Sequence, residues 1–178
     1  MNIVVIGIFS NSVIGIEGSV LQSLSHGLVS SGLFACIGFV YERYKTRLVK
    51  YYGGISHIMP IYVSTFLFFT MANIGFPGTS GFLGEFLILA GAFNVNIIAT
   101  FLSATSIMLG SCYSLWLLNR ISFGNLKTQH LKNSFDLNQR EMFVLLPLAF
   151  YTLMLGLLPN TLLIYIHSNV TTIVEKLF

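Results

Sequence analysis

Charge is what this 178-residue chain has least of: 8% of its residues are Asp, Glu, Lys or Arg, against roughly 25% in an ordinary soluble domain. With 54% apolar residues and a mean hydropathy of +0.80, that shortage excludes a water-soluble fold and describes an integral membrane protein. Two cysteines, Cys36 and Cys112, each inside an apolar run, exclude a disulfide framework or a cysteine-rich metal site and read as small core residues. No phosphate loop, dinucleotide fingerprint or nucleophile elbow is present. The glycine-rich segments at 15–19 and 75–81 lack the strand-to-helix setting of a phosphate site, so the chemistry open to the chain is movement of ions or protons. The net charge of +3 comes from basic residues in short loops between apolar runs, not from a surface stripe, which excludes nucleic acid as a partner. The first residues carry neither a basic leader with a cleavage site nor an Arg-rich transit sequence.

What the chain has in quantity is apolar runs, and one of them is interrupted. Residues 1–14 supply a partial span, whose apolar run, Met1 to Phe9, is about half of the ~20 residues needed to cross the hydrocarbon core. Residues 19–41 are long enough to cross. Residues 58–93 hold a break at Pro77, where Gly75, Gly78 and Gly81 loosen the backbone and proline cannot continue a helix. This stretch is one broken span or a hairpin of two, and charge separates the readings. Eight of the nine Lys and Arg residues fall in 43–56 and 120–141, four in each. A single broken span returns both loops to one side, as the positive-inside rule asks, and a hairpin does not. Residues 97–118 and 142–158 are further spans. Residues 161–178 form an amphipathic tail, with Leu163, Ile166, Val170, Ile173 and Leu177 at helical spacing, expected to lie at the membrane interface. The fold class is therefore all-α integral membrane, a helical bundle with one broken transmembrane helix.

Two ionisable residues lie well inside these spans. His26 follows Ser25 in the span 19–41, with Ser30 and Ser31 about one turn on as candidates to hydrate a proton path; an imidazole exchanges protons near neutral pH through either ring nitrogen. The alternative is a structural histidine. Glu85 is the one Asp, Glu, Lys or Arg between Lys50 and Arg120. It belongs to the opening turns after the break, where burial opposes its charge and the positive end of the half-helix favours it. A carboxylate in such a place is a functional candidate by default, the alternative being a fixed charge paired with a base from elsewhere. His57, His130 and His167, with Glu17, Glu42, Asp136, Glu141 and Glu175, fall near loops or ends and read as solvated.

Taken in order, Leu24-Ser-His-Gly-Leu-Val-Ser-Ser31, Tyr41-Glu-Arg43 with Thr46-Arg47 and Gly53-Gly54, and Gly75-Phe-Pro-Gly-Thr-Ser-Gly-Phe-Leu-Gly-Glu-Phe-Leu-Ile-Leu89 resemble the C-terminal part of the subunit 4 family of NADH:ubiquinone oxidoreductase, respiratory complex I. The resemblance covers nearly the whole chain. It implies the C-terminal half of an antiporter-like helical bundle, from a family of fourteen core helices in two inverted repeats, with this chain matching part of helix 10 and helices 11 to 14. It implies a proton-translocation role for His26 and Glu85, a helix break at Gly75, Pro77, Gly78 and Gly81, and location in the mitochondrial inner membrane with the two basic loops facing the matrix. A glutamate at 85 favours subunit 4 over its sister subunits, in which a lysine is usual there. The implied partners are the other membrane subunits of complex I, lipids, and a separate chain supplying the N-terminal half with its central lysines; a split gene or a shortened chain would account for their absence here. The implied cofactors, NADH, FMN, iron–sulfur clusters and ubiquinone, belong to other subunits, none being bound by this chain. Two other classes stay open: a component of a stand-alone cation/proton antiporter, and a non-conducting membrane assembly protein.

Overall fold

A computed structural model describes residues 2–126 and 135–177, with side chains through Lys176. His130, Lys127 and Lys132 lie outside the described residues. The elements are α1 (Asn2–Phe9), α2 (Val13–Tyr44), α3 (Pro60–Ile74), α4 (Ser80–Phe93), α5 (Ile97–Ser122), α6 (Gln139–Leu157) and α7 (Asn160–Leu177), with two short 3₁₀ turns at Val49–Tyr51 and Ile55–His57. Among the described residues there is no strand. Helices α2, α5 and α6 are each long and apolar enough to cross a membrane. With 15 and 14 residues, α3 and α4 extend only about 22 and 21 Å apiece, so neither alone spans a core ~30 Å thick. They are the two halves of the broken helix.

Helix α2 starts earlier than the hydropathy pattern indicates, at Val13 instead of 19, and runs on to Tyr44. Its start is set by Ser12, whose Oγ accepts from the Gly15 backbone N–H at 3.1 Å. Residues 13 and 14 consequently belong to α2 and not to the partial first span, and His26 is the fourteenth residue of the helix. Glycines on α2 and α4 serve a close crossing of the two helices. A Cβ on Gly91 would lie 2.6 Å from the Gly15 Cα, and one on Gly84 would lie 2.9 Å from the Gln22 Cα. Ser25 and Ser80 continue this seam of small residues, their hydroxyls 2.8 Å apart and buried. Small residues let membrane helices approach backbone to backbone.

At the opposite end of the molecule the loops lock the bundle. Cys36, Val40, Tyr52, Ile55, Met59, Tyr62, Phe66, Leu118 and Leu145 form the main buried cluster. Above it, Arg43 donates to Glu141 Oε2 at 2.7 Å and to the carbonyls of Phe39, Phe135 and Asp136 at 2.9, 3.1 and 3.2 Å. The Asp136 carboxylate accepts from the Ile61 and Tyr62 N–H groups at 2.9 and 3.1 Å, capping the first turn of α3. Gly54 N–H donates to the Phe123 carbonyl at 3.2 Å. These contacts bring the two basic loops to the same end. They also correct the reading of Asp136 and Glu141 as solvated: each satisfies donors that helix geometry leaves over.

Two further expectations change. Cys112 is exposed, unlike the fully buried Cys36, because α5 turns one whole side away from the rest of the chain. Glu17 does not stand free; its Oε1 lies 2.6 Å from Nδ1 of His167 on α7. Helix α7 packs against α2 and buries Val170.

Candidate proton site at the helix break

The break is written in five residues. Gly75, at φ +82°, ends α3 in a left-handed cap: its N–H donates to the Ala72 carbonyl and the Phe76 N–H to that of Met71, the paired bonds of a Schellman motif. Pro77 and Gly78 then occupy the middle of a turn closed by Thr79 N–H donating to Phe76 O at 3.0 Å, with Gly78 at φ +98°. Proline first and a positive-φ glycine second is the sequence a type II turn requires. Thr79 starts α4 from an extended conformation. Gly156 of α6 packs directly on this turn, where any Cβ would collide with Gly78 and Thr79. Gly81 lies in the first turn of α4, against the Ala72 carbonyl of α3.

Glu85 is the sixth residue of α4. Helical side chains lean toward the N-terminus, and its carboxylate reaches back to the break: a Cβ on Gly75 would lie 2.8 Å from Glu85 Oε2. Oε1 accepts from Gln22 Nε2 at 3.4 Å. The carboxylate opens into a cavity of ≈ 440 Å³ whose walls come from α1 to α5, and His26 lines the same cavity. Around them stand Asn2, Gln22, Asn73, Ser106, Ser111 and Tyr113. The two residues singled out from sequence, 59 positions apart in the chain, thus share one polar chamber.

The serines are placed otherwise. Ser25 is buried in the seam against Ser80, Ser30 and Ser31 donate to their own helix at the Gly27 and Leu28 carbonyls, and none of the three lines the chamber. The uncharged polar residues that do were not among the site candidates. For Gln22 a signal existed: it precedes His26 by four residues and so shares its helix face. Ser106 and Tyr113 lie seven apart on α5, again one face.

A protein-family model described as NADH:quinone oxidoreductase/Mrp antiporter, TM, matches residues 1–110, a stretch that includes α1 to α4, the break, His26 and Glu85. The chain belongs to this family. Within the NADH:quinone oxidoreductase/Mrp antiporter family, the chain is 51% identical over 175 residues to NADH-ubiquinone oxidoreductase chain 4 of Marchantia polymorpha and 49% identical over 175 residues to that of Chondrus crispus, covering 98% of this chain in each case and 35% and 36% of those proteins. It is 42% identical over 176 residues to NADH-quinone oxidoreductase subunit M of Rhodobacter capsulatus, covering 99% of this chain and 34% of that one. Its fold matches a chain of respiratory complex I from Thermus thermophilus with a TM-score of 0.89 at 26% identity, over 97% of this chain and 36% of the other. The chain therefore spans about a third of the length of the relatives it matches. The resemblance to subunit 4 drawn from the motifs is borne out, as is the all-α membrane fold.

Proposed function

We propose that this chain is a proton-conducting portion of subunit 4 in the membrane arm of an NADH:ubiquinone oxidoreductase, coupling NADH oxidation and quinone reduction to proton pumping. The observation that carries the reading is the shared chamber at the helix break, with one carboxylate and one imidazole on its wall. Both groups exchange protons, and the uncharged polar side chains between them suit a hydrated path. Broken helices tolerate irregular backbone at membrane depth where it is buried or lines a cavity, which is the setting in which transporters bind and release ions. The names of the relatives give the reaction class, and their sources support the mitochondrial inner membrane as the location. In this reading the chain is part of an enzyme but holds no redox centre, since NADH, FMN, iron–sulfur clusters and ubiquinone are bound by other subunits. Its partners are the other membrane subunits and lipid.

Glu85→Gln keeps size and polarity but cannot titrate, so the variant should assemble normally, as seen on native gels, and pump fewer protons per NADH in proteoliposomes. Glu85→Asp should retain part of the pumping. An assembled Glu85→Gln enzyme that pumps at the parental ratio makes Glu85 a structural charge and ends the proposal. A stand-alone cation/proton antiporter is the second reading, because the family model spans Mrp antiporters as well; sodium-dependent exchange without NADH is its signature.

A further inference from the structure

Gln22 sits one helical turn before His26, on the same wall of the chamber, and its amide touches Glu85 with one end only. Nε2 donates to Glu85 Oε1 at 3.4 Å, whereas the Gln22 Oε1 is buried and has no hydrogen-bond partner among the described residues. A buried acceptor of this kind is ordinarily paired. The side chain is also pressed against the backbone of α4 next to Glu85: a Cβ on Gly84 would lie 2.5 Å from Gln22 Oε1 and 2.9 Å from its Cα. Packing therefore holds the amide beside the carboxyl group.

The two ends of an amide have opposite hydrogen-bonding character, the NH₂ donating and the C=O accepting. An ionised carboxylate only accepts, and a protonated one has an O–H to give. Turning the Gln22 amide over thus matches it to either state of Glu85, with Nε2 donating to the carboxylate in one and the unpartnered Oε1 accepting from the acid O–H in the other. We propose that Gln22 is a positioning residue that holds the Glu85 carboxyl group in one place through both protonation states. The inference rests on the proposed proton-transfer role of Glu85. Gln22 itself carries no proton: the proton that Glu85 gains or loses comes and goes through the chamber, faced by His26 from α2 and Tyr113 from α5.

The test is made on the assembled enzyme in proteoliposomes. Gln22→Met keeps the length of the side chain and removes both amide groups; Gln22→Asn keeps the amide on a stem too short to hold the contact. Infrared difference spectra between acid and alkaline buffer report the C=O stretch of protonated Glu85, assigned by its disappearance in Glu85→Gln. In Gln22→Met that band should move to higher frequency, toward a carboxyl group without a partner, and protons pumped per NADH should fall at least twofold, with Gln22→Asn moving both in the same direction. A merely structural glutamine would leave the band in place. A parental band or a parental pumping ratio in assembled Gln22→Met overturns the proposal, and if that variant does not assemble, the same two results in Gln22→Asn overturn it. Failure here is separable from failure of the Glu85 reading: low pumping in Glu85→Gln with parental behaviour in Gln22→Met removes only Gln22.

Discussion

Replacing Gly91 by alanine tests whether the α2–α4 seam holds the chamber together. The added Cβ would lie 2.6 Å from both Cα and N of Gly15, where carbon–carbon contacts ordinarily rest at about 3.5–4.0 Å. The obstacle is backbone, so no rotamer change relieves it, and the helices must separate locally by roughly 1 Å to restore an ordinary contact. Overpacking of this kind costs about 1–3 kcal/mol, and the better helix propensity of alanine returns at most ~1 kcal/mol. A net loss of about 1–2 kcal/mol is a factor of roughly 5–30 in the packed population. Gly27→Ala on α2 is the matched control, since nothing lies within 4 Å of a Cβ there; it gains the helix propensity and meets no clash. The assay is the temperature at which the assembled complex is lost on native gels after brief heating, read for both variants beside the parent. Gly91→Ala should fall below the parent while Gly27→Ala equals or exceeds it. Equal behaviour of the two would refute the argument that backbone contact at this crossing holds α2 to α4.

Two other predictions concern the ends of the bundle. Arg43 and Glu141 have side chains only 14% exposed each, so breaking the pair leaves a mostly buried charge and should cost about 3 kcal/mol; Arg43→Met should lower the amount of assembled complex sharply, with Glu141→Gln in the same chain restoring part of it in a double-mutant cycle. Cross-linking mass spectrometry of the native complex should find another membrane subunit within reach of α1 or α5, and a particle with only lipid around both would count against the membrane-arm reading.

The sequence was most legible where structure is local. Gly75-Phe-Pro-Gly-Thr79 specifies its own conformation, because a left-handed cap, a proline-led turn and a restart each depend on residues no more than five apart. The turn between α4 and α5 is similar: Asn96 Oδ1 accepts from the N–H groups of Ile98 and Ala99, the ordinary work of an N-cap. Hydropathy found Glu85 and His26 because a titratable group in an apolar run stands out whatever it touches. It missed Gln22 and Asn73, whose importance comes from facing the chamber, and facing depends on how five helices cross. Arg43, Asp136 and Glu141 were opaque for another reason. Arg43 reaches over more than 90 residues to meet the other two, and until that loop folds back a charged residue beside a polar segment looks solvated.

The backbone accounting at the break explains why a carboxylate belongs there. A helix that stops inside a membrane exposes carbonyls at one end and N–H groups at the next start, and hydrocarbon satisfies neither. On the carbonyl side Met71 and Ala72 accept from Phe76 and Gly75, and Phe76 accepts from both the N–H and the hydroxyl of Thr79. The Thr79 hydroxyl, committed to that bond, makes no side-chain cap for α4. The opening turn of α4 is therefore left with its positive end turned toward the break. A side chain one turn and a half along, leaning back as helical side chains do, brings its carboxylate beside Gly75 and close to that opening turn. Gly156 on α6 packs on the turn itself, and the carboxylate faces the chamber shared with His26.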